Sequence, residues 1–359
     1  MPAVLSTAAE RTLLGGAIIP AHPLVLAPDG RIDERRQRAL TRYYLDSGAG
    51  GIAVGVHTTQ FGVRDAGLLP RVLELAAETA RAWASDAGTT PLLVAGIAGR
   101  TADAVAEARL AVALGYDLAL VILRDLDDLD ETALLAHLEA IGEIIPLCGF
   151  ALQAAVGGRR LSTEFWRSLA SLPALRAIKI APFDRYHTID IARAVAESGR
   201  AEQIALYTGN DDSILVDLLT EFAFEVRGQT VRTRFVGGLL GQTAVWTHRA
   251  VELFDRVQQA RRDGVIDPAL LTLAAQLTDA NAAVFDSANG FQGSVAGIHE
   301  VLRRQGLLAD VHLLDPHESL GVGQTDELDR VIASYPHLTD DAFVAEGLPR
   351  WLGPEGGGA

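Results

Sequence analysis

The 31 lysines and arginines of this 359-residue chain include a single lysine, Lys179. A composition this biased puts arginine wherever charge or solvation alone matters, so the lysine that persists points to a task arginine cannot perform. Arginine stays protonated, whereas a lysine amine taken out of water is driven toward its neutral form and can attack a ketone to form an imine. Lys179 lies in Leu175-Arg-Ala-Ile-Lys-Ile-Ala-Pro182. If this is a strand, Ala177, Lys179 and Ala181 share one face and Ile178 and Ile180 the other. The alanines leave room beside the amine; the isoleucines suit packing against helices. The competing reading is a strand-end lysine paired with a carboxylate.

Four other segments carry groups able to assist. In His57-Thr-Thr-Gln-Phe61 the hydroxyls of Thr58 and Thr59, with loop amides, suit a carboxylate, although a threonine pair serves a turn equally well. His57 titrates near neutrality, which fits a general acid or base as well as a structural histidine. Gly209-Asn-Asp-Asp212 offers Gly209, Asn210 and Asp211 to a ligand, or Asn210 or Asp211 to cap the next helix. No further ligands accompany the two aspartates, so no metal site is expected. Arg185, Tyr186 and His187 follow the lysine segment, with Tyr186 a candidate for moving protons if the loop is not simply solvated. Gly157-Gly-Arg-Arg160 places Arg159 as a cation for a substrate carboxylate, or as part of an exposed turn.

The elements that must position these groups repeat eight times. Apolar runs at 16–20, 51–55, 91–96, 117–123, 146–150, 175–181, 204–208 and 235–240 each precede a helical pattern, at 33–47, 67–86, 101–114, 130–143, 162–171, 186–198, 211–222 and 242–262. The runs are continuously apolar, as for parallel strands buried on both faces. Eight strand–helix units predict a closed (β/α)₈ TIM barrel, with catalytic groups at the C-terminal ends of the strands. Thr101 or Asp103 is placed to cap the helix at 101–114, which follows the third run, and Pro268 falls in the first turn of a later one. No Gly-x-Gly-x-x-Gly follows an early strand, which weakens a dinucleotide-binding alternative. After residue 264 the strand signal stops. We read 1–264 as the barrel and 265–359 as a C-terminal helical extension, with helices within 267–306, 324–335 and 339–346 and a glycine-rich tail expected to fray.

A formal net charge of −15 opposes phosphate backbones and anionic lipid, so neither nucleic acid nor membrane is an expected partner. No apolar run is long enough for a membrane helix, and residues 1–15 lack a signal-peptide pattern. The one cysteine, Cys148, rules out an intrachain disulfide and fits a cytoplasmic protein.

Taken together, these segments resemble the dihydrodipicolinate synthase and N-acetylneuraminate lyase superfamily over about residues 14–305. Gly16-Ala-Ile-Ile-Pro-Ala-His-Pro-Leu24 and Asp29-Gly-Arg-Ile-Asp33 resemble its opening strand and first turn. His57-Thr-Thr-Gln-Phe61 resembles its Gly-Thr-Thr-Gly-Glu motif, Ala177-Ile-Lys-Ile180 its Gly-Ile-Lys-Asp strand, and Gly209-Asn-Asp-Asp212 its Ser-Gly-Asp-Asp segment. Within it the chain looks closer to an actinobacterial-type branch than to lysine-biosynthetic enzymes. The resemblance implies a carbon–carbon lyase or aldolase that holds a pyruvate-like 2-oxoacid as an imine on Lys179, without a cofactor. It further implies an aldehyde as second reactant, Thr58 and Thr59 on the oxoacid carboxylate, and a homodimer or homotetramer. Two departures stand out. The family's relay tyrosine on strand five aligns with Ala151, which would line the substrate space, and a second tyrosine after strand four is replaced by Leu123-Arg-Asp-Leu-Asp127. The carboxylate-binding arginine after strand five is out of register, with Arg159 nearby. Dihydrodipicolinate synthesis is therefore not expected, and His57, Tyr186 or ordered water is left to move protons. The alternatives are an imine-dependent dehydratase of a deoxy sugar acid, or a non-catalytic barrel kept as a ligand-binding or assembly protein.

Overall fold

The computed structural model describes residues 4–353. Seven short parallel strands come first: β1 (Ile18–Pro20), β2 (Gly51–Val54), β3 (Leu92–Ile97), β4 (Leu118–Val121), β5 (Leu147–Leu152), β6 (Leu175–Ala181) and β7 (Ala205–Thr208). Two more follow, β8 (Glu221–Val226) and the long β9 (Gln229–Leu240). Sheet order runs β1-β9-β7-β6-β5-β4-β3-β2, and a parallel bridge between Ala21 and Ala53 joins the two ends. The result is a (β/α)₈ barrel whose eighth strand is the second half of β9.

The surrounding helices are α2 (Glu34–Asp46), α3 (Leu69–Ala87), α4 (Thr101–Ala113), α5 (Glu131–Gly142), α6 (Thr163–Ser171), α7 (Arg185–Glu197), α8 (Ile214–Leu219) and α9 (Thr247–Asp263). Asp33, Asp130 and Ser162 cap α2, α5 and α6 by accepting a backbone N–H of the first turn. Neither Thr101 nor Asp103 caps α4. Arg100 stands at that position, and the Thr101 hydroxyl instead meets His137 Nδ1 at 3.0 Å.

Two elements of the barrel region also differ from the sequence expectation. A helix, α1 (Thr7–Gly15), precedes the barrel and closes its N-terminal end: Leu5, Ala9 and Leu13 pack among the inward side chains, and the Tyr207 hydroxyl donates to the Leu13 carbonyl at 2.9 Å. The helix expected at 211–222 is cut to α8, and residues 221–234 form an antiparallel hairpin. Its two-residue turn, Arg227-Gly228, has φ of 52° and 81°, the paired positive values of a type I′ turn that matches strand twist. Phe222 and Phe224 point inward at strand spacing while Glu221 and Ala223 face solvent, a period of two that a helix would scatter.

The extension contains α10 (Ala269–Val284), α11 (Ser294–Arg304), α12 (Gln324–Ser334) and α13 (Asp341–Leu352). Pro268 sits one residue before α10, at its N-cap. The extension shares one continuous core with the outer face of the barrel. Trp351 is buried against Tyr43 of α2 and donates to Asp46 at 2.6 Å, and α11 is buried from Ser294 to Leu302. Truncating a buried tryptophan of this kind costs about 3–5 kcal/mol, so the extension is held firmly. Beyond Gly353, the tail expected to fray lies outside the described residues. Among the described residues no helix is long and apolar enough to cross a membrane, and no group of three His, Cys, Asp or Glu side chains is placed to hold a metal ion.

Candidate active site

Strand alternation on β6 works as expected. Ala177 and Ala181 lie in the barrel interior, Ile178 and Ile180 in the layer between strands and helices. Lys179 therefore points inward, near the C-terminal end of the barrel, into a cavity of about 60 Å³. Its path depends on Gly209 after β7: a Cβ there would stand 2.7 Å from Lys179 Cε and 2.7 Å from Ala181 Cβ. Lys179 pairs in register with Phe150 on β5, and its Nζ lies 4.5 Å from the centre of that ring. Burial lowers the Lys179 amine to about 8, with Asp211 and Cys148 partly opposing the fall.

Asp211 lines the same cavity. Its carboxylate accepts the Gln242 N–H at 3.1 Å, and its backbone carbonyl accepts from Asn281 of α10 at 2.7 Å. Burial raises Asp211 to about 7; the Gln242 N–H and the Lys179 charge pull the other way. A carboxyl that gains and loses a proton near neutrality thus shares a cavity with an amine that does the same.

The two threonines after β2 divide their work. Thr59 is fully engaged. Its hydroxyl accepts from the Gly55 and Val56 N–H groups at 2.9 and 3.2 Å and donates to the His22 carbonyl at 2.7 Å. Thr58 is buried, lines the cavity, and its hydroxyl has no partner among the described residues. A buried hydroxyl left unpaired is costly unless a ligand completes it. His57 lines the cavity too and packs its ring 5.5 Å from Phe61. Burial, with the nearby charges of Lys179 and Arg124, depresses it to about 4.

The remaining expected site residues fall elsewhere. Ala151 points away from the cavity into the strand–helix layer, so the inward position on β5 is Phe150. The expectation that alanine faces the amine is corrected by one residue: a phenylalanine ring fills the place, with no hydroxyl to move a proton. Tyr186 is 82% exposed on the first turn of α7 and does not reach the cavity. Both terminal nitrogens of Arg159 donate to the Leu129 carbonyl, which ties down a loop. Asn210 neither caps a helix nor touches the cavity. It accepts the Phe183 N–H at 3.1 Å and donates to Asp217 at 2.9 Å, which fixes the loop after β6. Thr59 likewise acts on the loop rather than on the cavity. Lys179, His57, Thr58, Gly209 and Asp211 are brought together.

Sequence reasoning missed the rest of the lining. Phe285, Phe291, Ser294 and Ile298 come from the extension, and Phe183 from the loop after β6. Arg124, in the segment after β4, sits 5.0 Å over the Phe61 ring and faces a second, larger cavity of about 510 Å³ that shares His57 as a wall. Gln60, Phe183 and Phe291 all adopt positive φ, of 64°, 51° and 68°. Such a backbone costs a non-glycine residue roughly 1–3 kcal/mol and gathers at functional sites. Only three-dimensional contact reveals these groups.

No family model and no curated protein matches the sequence. Among solved structures, the chain is similar to N-acetylneuraminate lyase from Fusobacterium nucleatum complexed with pyruvate, at 17% identity and a TM-score of 0.69 over 91% of this chain and 99% of that one. It is also similar to dihydrodipicolinate synthase from Oceanobacillus iheyensis, at 17% identity and a TM-score of 0.71 over 91% and 98% of the two chains. At this identity the likeness is one of fold, shared over nearly the whole length of each.

Proposed function

We propose that the protein is a class I lyase or aldolase that binds a pyruvate-like 2-oxoacid as an imine on Lys179. The observation that carries this reading is the sole lysine of the chain, buried in a cavity whose other open valence is the unpaired Thr58 hydroxyl. The neutral amine attacks the ketone carbon, the carbinolamine loses water, and the protonated imine draws electrons from the adjacent carbon. Loss of a proton there gives an enamine, whose carbon attacks an aldehyde; the reverse sequence cleaves the same bond. Thr58 donates to the oxoacid carboxylate. Because the ring facing the amine is Phe150, the proton carrier is Asp211, which titrates in the needed range inside the cavity. His57, held well below neutrality, is a neutral donor or acceptor rather than a cation at pH 7. The polar groups needed for imine chemistry are thereby supplied without a cofactor. A dimer or tetramer, as the family resemblance implies, is the expected assembly, measurable by light scattering.

Pyruvate, the ligand of the Fusobacterium lyase of the same fold, is the probe of choice. Incubation with pyruvate and borohydride, followed by intact and peptide mass, is expected to place a reduced adduct on Lys179 and none on Lys179→Arg. Trapping should rise with pH to a midpoint near 8, because the neutral amine is the reactive form and burial has lowered it to that value. An unmodified Lys179 across a panel of 2-oxoacids, or normal turnover by Lys179→Arg, would overturn the proposal.

A further inference from the structure

An aldehyde that meets the enamine must lie against whatever wall faces Lys179. Of the polar side chains that line the cavity, Thr58, His57, Gln153, Lys179 and Asp211 come from the barrel and Ser294 from the extension, whereas Phe183, Phe285, Phe291 and Ile298 form an apolar wall, with Phe150 and Leu152 beside it. Phe183 lines the cavity from the barrel side of the seam and Phe291 from the extension side. Their rings meet edge to face, with centres 5.7 Å apart and planes at 73°. Both hold their rings there at positive φ. Each is pinned by its own N–H, Phe183 to the buried Asn210 side chain at 3.1 Å and Phe291 to the Asp286 carbonyl at 3.1 Å. Glycine would suit either backbone better, so retention of a large ring at both positions calls for a use of the rings. A ring wall of this kind offers little to hydroxyl groups, whose hydrogen bonds to water it would not replace. It favours a flat apolar fragment, which gains edge-to-face contact and burial.

Resting on the imine reading above, we infer that the second reactant is an apolar, preferably aromatic, aldehyde, packed against the paired rings of Phe183 and Phe291. The enamine carbon forms a bond to the aldehyde carbon, and the carbonyl π pair moves onto oxygen, which takes a proton. Water then releases the amine and a 4-hydroxy-2-oxoacid bearing the aryl group. No oxidant or reductant is involved. The larger neighbouring cavity, lined by Asp65, Arg124, Asp315 and Glu318, is the place a hydrophilic aldehyde would choose instead.

The test uses the full chain with pyruvate held constant and compares benzaldehyde with glyceraldehyde. Benzaldehyde is expected to show a kcat/KM at least about tenfold higher, the scale of discrimination an apolar pocket can supply. In Phe291→Gly, which removes the ring at a backbone angle glycine accepts, the ratio of the two values should fall toward one; Phe183→Gly is the second variant should the first fail to melt cooperatively. A preference for glyceraldehyde points to the polar cavity and overturns the inference, as does an unchanged ratio in both variants. A pyruvate adduct without aromatic preference overturns this inference alone, whereas absence of any 2-oxoacid adduct overturns the imine reading and this one with it.

Discussion

The two walls of the cavity around Lys179 are built from different parts of the chain and on different principles. The barrel wall carries the reactive groups on strand ends and on loops fastened by hydrogen bonds, such as the turn locked by Thr59. The extension wall is apolar apart from Ser294, and its lining arrives from α11 and the segment that joins it to α10, more than 100 residues after the lysine. Chemistry and selectivity are thus separable. Changes on the barrel wall should alter bond making, while changes on the opposite wall should alter the choice of partner.

The sharpest way to break that division is Asp211→Asn. If Asp211 carries the proton, kcat should fall by about 10²–10⁴-fold, with the borohydride adduct still formed. The same variant has a stability signature. Asp211 is raised in the folded protein to about 7, so the native state holds an extra proton between the usual carboxylate range and that value. Stability therefore declines as pH rises through this window, and the cost is complete above it. Asp211→Asn should melt higher than the parent at pH 8, with the gap shrinking toward pH 5. A variant slower but no more stable would point to a structural role.

Gly209→Ala tests the path of the amine. The added methyl group meets Lys179 Cε at 2.7 Å, so the side chain must move aside. Misplacing a nucleophile by an ångström costs about 10²-fold, to be read as the rate of adduct formation with circular dichroism unchanged. Normal trapping would show that the lysine enters the cavity by another route.

The adjacent threonines give the smallest effects and the cleanest contrast. Thr58→Val removes an unpaired hydroxyl, so KM for pyruvate should rise by about 10-fold, the worth of one hydrogen bond to a charged group, with little loss of stability. Thr59→Val strips partners from the Gly55 and Val56 N–H groups and from the His22 carbonyl. It should cost about 1–3 kcal/mol in denaturant unfolding. The reverse pattern would exchange their roles.

The barrel was legible in the sequence because parallel strands buried on both faces leave continuous apolar runs, and eight such runs alternate with helices. Lys179 was legible for a compositional reason, and its inward direction from the alternation of Ala177 to Ala181. Ala151 was misplaced by one residue because every side chain of Gly149-Phe-Ala-Leu152 is small or apolar. In a strand buried on both sides nothing marks which residues face in, and a slip of one inverts the face. The hairpin at 221–234 was hidden because Phe222 extends an apolar pattern begun in α8. The phenylalanines of the far wall were out of reach for another reason. Their positive φ and their meeting across the seam are products of tertiary packing, which no local pattern encodes.

The burial of the only lysine has a practical consequence for anyone handling this protein. Reagents that acylate side-chain amines normally scatter over a surface; here the surface offers them no lysine at all. Side-chain labelling becomes a count of open pockets, slowed by any molecule that fills the cavity and abolished by one that bonds to the amine. The chain therefore carries a built-in occupancy gauge, readable by mass alone, for screening ligands before any turnover assay exists.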